Sequence, residues 1–318
     1  MKLTKKSLNS YGKDTDPKQG VLNEYPTPKN SLTAPYVLIN VGSRGMGKTH
    51  QTSKILGQSK KDKTYDVVYC ISPNYLSNIA YFGPYVNDEN VFLPTKESIS
   101  EVLLLIDKDR DDFEQYLEDV KEYNDFLKKM KSKSDIFSDE DIFKYNNLGW
   151  FDATPSPPVW KYDKVQPPRS LLILDDILGT PCVSSNEFTQ AMIRNRHLSP
   201  LSESHSGRSA LGCSVLINVQ TYISNTGGGG VNRSLREQCT HLLLFKNKSA
   251  KMMDKIREEL CSVIDIDKFN TAYEEATKEK YGNLLITFAP KCPTKMFIKN
   301  LQECLVFEED KQLCNCHH

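Results

Sequence analysis

The chain has 318 residues, 38% of them apolar and 26% charged, with 13 Phe, 15 Tyr and 2 Trp. That length allows one large domain or two ordinary ones, and such a composition builds a sizeable core, which excludes a peptide scaffold and a disordered protein. The 41 bases and 41 acids cancel overall but not locally: six bases against Asp62 make residues 34–64 a +5 segment, seven bases against Glu203 and Glu237 make 192–248 another, and fifteen acids against eight bases put 97–145 at −7.

Residues 1–33 mix Lys, Asn, Pro and Ser without periodicity, so they read as a mobile arm. PYVLINV (35–41) is a short apolar run closed by Gly42, and YDVVYCI (65–71) is another; both suit buried strands, with VFL (91–93) a third. From about Ser98 to Met130, apolar residues from Val102 to Leu127 recur every three or four positions, the pattern of a long amphipathic helix. Pro155, Pro157, Pro158, Pro167 and Pro168 then forbid a helix and mark a connector.

LLILDD (171–176), GCSVLINVQ (212–220) and HLLLF (241–245) are continuously apolar up to polar ends, as central parallel strands are. Helical stretches near 250–260 and 266–280 lead to NLLITFAP and TKMFIKN, an antiparallel hairpin at the sheet edge. No internal repeat organises the chain. No apolar run approaches the ~18 residues of a membrane span, and MKLTKKSLNSYGKD lacks a signal-peptide core, so neither insertion nor secretion is expected. Nine scattered cysteines point to reduced, buried thiols in an intracellular compartment. Cys314, Cys316, His317 and His318 offer zinc ligands but lack a second pair at finger spacing.

The chemistry concentrates between the first strand and the helix after it. Gly42-Ser43-Arg44-Gly45-Met46-Gly47-Lys48-Thr49 satisfies G-x-x-x-x-G-K-[ST] in the context that this motif requires. Glycines allow successive N–H groups to turn inward around phosphate oxygens, and the helix N-terminus adds positive potential. The phosphate site therefore runs from Gly42 to His50, with Lys48 reaching the β- and γ-phosphates and Thr49 ligating Mg²⁺. Asp175 and Asp176 end a core strand, where parallel geometry brings strand ends to the ligand crevice. The first suits a metal held through water and the second suits a polarised attacking water, although a pair that merely caps a helix has the same sequence. Gln220, ending the next strand, suits sensing of the γ-phosphate or orientation of that water.

GSRGMGKT, LLILDD, IRNRHL, SVLINVQTY and NRSLREQCTHLLLFK, in that order over roughly residues 35–300, resemble the poxvirus-type genome-packaging ATPases of large DNA viruses and virophages, within the FtsK/HerA superfamily of P-loop NTPases. The resemblance implies an α/β fold of the ASCE or RecA-like kind, with a central, mostly parallel sheet flanked by helices and a C-terminal β-hairpin. One ATPase domain is expected at 34–303 and a tail at 304–318; the region at about 97–169 is not explained by the motif match and reads as an elaboration on the sheet, a contact to the ring or portal.

The resemblance also implies an ATP- and Mg²⁺-dependent ring of identical subunits that moves double-stranded DNA into a capsid. Its partners would be capsid or portal-vertex proteins, and its place the host cell at the site of virus assembly, or the virion. Lys48, Asp176, Gln220 and Arg236 take the catalytic positions, with Arg236 offered to a neighbour's γ-phosphate, and Thr49 and Asp175 hold the metal. Four glycines at 227–230 replace the shorter link usual in relatives, which leaves Arg233 and Arg236 as alternatives for the trans arginine. That run reads either as a pore-facing loop or as a linker.

The resemblance also places Arg194 and Arg196 in the family's second basic motif, which implies contacts to phosphate. Other readings of the same residues are a helicase-like translocase, a nucleotide kinase with Arg194 and Arg196 as a phosphate-clamping lid, and a nucleotide-binding scaffold without turnover.

Overall fold

Strands that are apolar on both faces demand helices on both sides, and the chain supplies them. The computed structural model describes residues 32–131, 137–153, 155–223, 230–288, 290 and 292–312. Most of the N-terminal arm, residues 227–229 of the glycine run and the Cys/His group at 314–318 lie outside the described residues.

β1 (Val37–Val41) leads into α1 (Lys48–Lys61), β2 (Val67–Ile71), α2 (Ile79–Phe82) and β3 (Val91–Phe92). Then come α3 (Ser98–Lys131), α4 (Asp139–Asn147), β4 (Ser170–Asp175), α5 (Asn186–Ile193), the hairpin strands β5 (Pro200–His205) and β6 (Arg208–Ala210), and β7 (Cys213–Val219). The chain continues through α6 (Arg233–Glu237), β8 (His241–Phe245), α7 (Ala250–Leu260) and α8 (Ile266–Ala276). It ends with β9 (Asn283–Thr287), β10 (Phe297–Lys299), β11 (Glu303–Cys304) and α9 (Glu308–Gln312).

One nine-stranded sheet runs β11-β10-β9-β8-β1-β7-β4-β2-β3. The strands from β8 to β3 in that order are mutually parallel, and β9, β10 and β11 add an antiparallel edge. This is the expected mostly parallel α/β sheet with its C-terminal hairpin. Leu38, Leu171, Ile173 and Leu216 pack with Leu56 of α1 and Phe82 of α2 on one face. Ile39, Leu172, Val215 and Ile217 pack with Val102 of α3, Met192 of α5, Ile256 of α7 and Phe269 of α8 on the other. β1 and β7 carry the same five residues, Val-Leu-Ile-Asn-Val, paired in register from Val37–Val215 to Val41–Val219.

The elaboration at 97–169 is a helical arm. α3 has 34 residues, a rod of about 51 Å at 1.5 Å per residue. Its first half packs on the sheet through Ile99, Val102, Ile106 and Phe113. Further along, Phe126 meets Tyr145 of α4 and Trp150 at 4.9 and 5.2 Å, a separate aromatic cluster. A capping box joining Ser138 and Asp141 sets the start of α4, a local signal independent of apolar periodicity. The Pro-rich connector returns across α3, with Trp160 at 5.3 Å from Phe113 and Lys161 at 2.6 Å from both Asp109 and Asp112.

Beyond residue 303 the chain stays folded as far as it is described: Phe307 lies 6.1 Å from Phe297, and Asp310 accepts from Lys268 at 2.7 Å. Of the described cysteines, five are buried, and Cys261 and Cys304 are exposed. Among the described residues, no helix is long and apolar enough to cross a membrane.

Candidate nucleotide site

β1 ends in the phosphate loop at a close approach that favours glycine. A Cβ on Gly42 would lie 3.0 Å from the Phe245 ring, and the Gly42 N–H donates to Val219 O at 3.1 Å. Gly47 has φ +97°, the left-handed region, and directly precedes α1, whose first turn has no side-chain cap. Free N–H groups at an uncapped helix start point toward an anion. Lys48 Nζ donates to Gly42 O at 2.7 Å and Ser43 O at 3.4 Å. Burial lowers its pKa, while the charges of Asp176 and Asp175 oppose that shift, so both acids act on this ammonium. β7 is inserted between the P-loop strand β1 and the acid-bearing strand β4. The fold is that of the P-loop NTPases.

Within this P-loop fold, Thr49 is half-buried on the first turn of α1, and Arg44 and Gly45 are exposed at the mouth of the loop. A Cβ on Gly45 would meet nothing within 4 Å, so the loop is open there. The exposed His50 turns its ring toward Tyr81, edge-on at 6.2 Å.

A buried polar row crosses the sheet below the loop. Asn40 of β1, Asn218 of β7 and Asp175 of β4 are register partners. Asn40 Nδ2 donates to Asn218 Oδ1 at 2.9 Å and to Lys48 O at 3.3 Å, and Thr52 of α1 donates to the same Asn218 oxygen at 3.0 Å. Asn218 Nδ2 then donates to Asp175 Oδ1 at 2.8 Å, and Asn78 Nδ2 donates to Asp175 Oδ2 at 3.0 Å. Burial raises the Asp175 pKa, the Asn218 hydrogen bond pulls it back and the Asp176 charge pushes it up again.

Sequence reading found Asp175 and missed Asn40, Asn218, Asn78 and Thr52. One signal was available: a polar residue one place before the end of two strands that share the run VLINV.

Asp176 leaves the sheet with φ +53° and is half-exposed. Gln220 Nε2 lies 3.5 Å from Asp176 Oδ1, so the ends of β4 and β7 bring these two side chains together. Among the described residues, no cluster of three or more His, Cys, Asp or Glu side chains forms a metal site. A hard cation such as Mg²⁺ takes oxygen ligands, few of them from the protein. The oxygen donors Thr49 and Asp175 are of that kind.

Arg236 and Arg233, the two candidates for the trans arginine, sit in different surroundings. The Arg236 guanidinium is committed within its own chain: it donates to Glu259 of α7 at 2.9 Å, bonds Val231 O, lies 5.6 Å from the Tyr222 ring and is 12% exposed. Arg233, one turn earlier, is 84% exposed and pairs with Glu237 at i,i+4, its one ion pair among the described residues.

Arg194 and Arg196 also lie away from Lys48. They follow α5 and adjoin the N-terminal ends of strands: Cys213, which opens β7, donates to Asn195 O at 2.7 Å, and the Arg196 charge acts on His241, which opens β8. The P-loop and both acids are at the opposite, C-terminal ends. A lid of Arg194 and Arg196 over the phosphates is therefore excluded by position.

No protein-family model matches the chain, and no curated protein matches it. Solved structures of similar fold include the genome-packaging NTPase B204 from Sulfolobus turreted icosahedral virus 2 in complex with ATPγS, at 11% identity and TM-score 0.39 over 83% of this chain and 96% of that one. The pCW3 conjugation coupling protein TcpA is 13% identical at TM-score 0.39 over 89% of this chain and 62% of its own. The cytoplasmic domain of the Thermomonospora curvata type VII secretion ATPase EccC is 15% identical at TM-score 0.38 over 89% of this chain and 28% of its own. These likenesses are remote, and the P-loop assignment rests on the loop, the strand order and the acid pair.

Proposed function

We propose that this protein hydrolyses ATP to move double-stranded DNA into a viral capsid, as a homo-oligomeric ring in the infected cell. The hydrolytic half is carried by one observation: Lys48, Asp175 and Asp176 converge at the C-terminal ends of a parallel sheet, with both acids acting on the lysine.

In this reading the N–H groups from Gly42 to His50 cradle the triphosphate, and Lys48 transfers its hydrogen bonds from the loop carbonyls to the β- and γ-phosphate oxygens. Mg²⁺ would offset charge on those oxygens, held by Thr49 and, through water, by Asp175. Asp176 accepts a hydrogen bond from a water that Gln220 orients. The water oxygen attacks the γ-phosphorus in line, the bond to the β–γ bridging oxygen breaks, and the water's proton leaves by way of the Asp176 carboxylate to solvent.

The exposed Arg233 is the arginine that a neighbouring subunit receives. An arginine supplied in trans contributes ~10³ to 10⁵ in rate, so separated subunits are expected to turn over slowly. DNA as cargo is supported by the motif order described above and by the cations gathered at the strands' N-terminal ends. Capsid or portal partners belong to the same proposal. A nucleotide kinase is disfavoured because Arg194 and Arg196 cannot form its lid.

The test is ATP hydrolysis measured with and without long duplex DNA, beside particle imaging for rings. Hydrolysis stimulated by duplex in assembled rings is the expected result. Phosphoryl transfer to an added nucleoside acceptor, with no response to DNA, would overturn the proposal.

A further inference from the structure

A cavity of about 480 Å³ opens at the end of the sheet away from Lys48, beneath the first residues of β2 and the Arg169 entrance to β4. β4 spans six residues from Ser170 to Asp175, so this cavity is set about 17 Å along the strand from the acid end. It is a place apart from the nucleotide site.

Two separate chain segments bring ammonium groups to it: Lys60 and Lys63 from the C-terminal end of α1, and Lys161 and Lys164 from the Pro-rich connector. Lysines at the end of α1 have an ordinary explanation in the helix dipole. The connector lysines do not, since nothing about that dipole calls a second segment to the same wall.

Lys161 is held by Asp109 and Asp112, and Lys63 pairs with Asp163 at 2.5 Å where both side chains are more than half exposed. A surface pair of that kind is worth little and exchanges readily for another anion. Among the described residues, Lys60 and Lys164 have no carboxylate at ion-pair distance. Lys60 instead donates to Pro84 O and stands 5.8 Å from the Tyr85 ring, while Lys161 stands 5.2 Å from the Tyr162 ring. One wall therefore carries an ammonium group beside an aromatic ring, Lys60 with Tyr85, and the connector wall adds Lys164, whereas Lys161 and the Tyr162 hydroxyl are taken by Asp109.

We propose that this cavity binds a single nucleic-acid strand. A cation beside a ring is the unit that receives one phosphate and one unpaired base, and a further cation on the other wall, Lys164, matches the next phosphate of a strand rather than a lone nucleotide. A duplex keeps its bases paired inside the helix, out of reach of Tyr85. The site goes beyond the motor reading, because it is separate from the P-loop and its occupancy does not require hydrolysis.

The test is fluorescence anisotropy of a labelled oligothymidylate with the full chain, wild type against the double variant Lys60→Gln, Lys164→Gln. Removing two phosphate contacts at a slope of ~0.7 each lowers the salt slope by about 1.4, and weakens binding about 25-fold at roughly 0.1 M salt. Tyr85→Leu is expected to weaken binding about fivefold or more at every salt concentration with the slope unchanged, because stacking is lost and charge is not. Melting temperature and DNA-free ATP hydrolysis stay at wild-type values in the lysine variant, and saturating ATPγS leaves the oligonucleotide bound.

Wild-type affinity and slope in the lysine variant would overturn the proposal. So would displacement of the strand by ATPγS, or an affinity for thymidine monophosphate or inorganic phosphate equal to that for the strand. Strand binding that persists in a protein without ATPase activity would leave this site standing while the motor reading fell.

Discussion

Asn218 on β7 donates a 2.8 Å hydrogen bond to Asp175 on β4 and at the same time accepts from Asn40 on the P-loop strand and Thr52 on α1. One fully buried amide thus ties the metal-side acid to the strand and helix that flank the phosphate loop. Asn218→Leu fills the volume but leaves a carboxylate oxygen, an amide donor and a hydroxyl without their partner. At 1–3 kcal/mol for an unsatisfied buried group, partly relieved by rearrangement, the expected loss is about 2–4 kcal/mol in denaturant unfolding.

Asp175 itself is expected to cost stability. Its folded-state pKa is raised above the ordinary carboxylate value, chiefly by burial. The folded chain therefore takes up this proton more readily than the unfolded chain, and stability falls as pH rises through the raised value. Asp175→Asn should raise the melting temperature at neutral pH by about 2 °C and abolish Mg²⁺-dependent hydrolysis, as stability–activity trade-offs do. The gain should vanish at acid pH, where the native carboxyl is already protonated in both states. Calorimetry across pH checks both halves.

The nucleotide roles separate by assay. Lys48→Ala removes the cation over the loop and is expected to abolish ATP binding, read by titration with a fluorescent analogue. Asp176→Asn and Gln220→Ala should bind ATP as the wild type does and lose turnover, by about 10²-fold or more for the acid. An equal loss of binding in Lys48→Ala and Asp176→Asn would contradict the division between holding phosphate and activating water.

Two arginines one turn apart should behave oppositely. Arg236→Ala strands Glu259 and frees the Val231 carbonyl, so it is expected to destabilise the fold by about 1–3 kcal/mol, discounted for a partner that is one-third exposed. Arg233→Ala removes an exposed i,i+4 pair, and its effect on melting should be within ~0.5 kcal/mol. In assembled rings it should slow hydrolysis, and mixing Arg233→Ala subunits with Asp176→Asn subunits should restore part of it at mixed interfaces.

His241 makes acid pH destabilising. Burial, with the Arg196 charge second, lowers its pKa from 6.5 to about 4. Its contribution to stability is fully present above pH ~6.5 and is lost as pH falls toward the folded-state value, at most about 3 kcal/mol. His241→Phe keeps a ring against Tyr36, 5.9 Å away, and should flatten the stability profile between those limits. Hydrolysis at neutral pH should be unchanged, since β8 begins at the end of the sheet away from Lys48.

Local rules sufficed for much of this protein. Gly42 to Thr49 announces a phosphate loop because glycine torsions and a helix start are properties of adjacent residues. LLILDD, VLINVQ and HLLLF announce core strands because a strand buried on both faces is apolar throughout. The long periodic run announces α3, and its bounds at Ser98 and Lys131 lie close to the pattern.

Tertiary structure alone decided what depends on distance across the sheet. That Asn40, Asn218 and Asp175 form one hydrogen-bonded row follows from β1, β7 and β4 lying side by side in register, a pairing across 178 and 43 residues of sequence. Arg233 and Arg236 look alike in the chain; which one is buried depends on where α7 places Glu259. The first basic segment is divided for the same reason: α1 leads from Lys48 at one end of the sheet to Lys60 and Lys63 at the other, the end that also receives Arg196 of the second segment, and charge along a chain carries no record of which end that is.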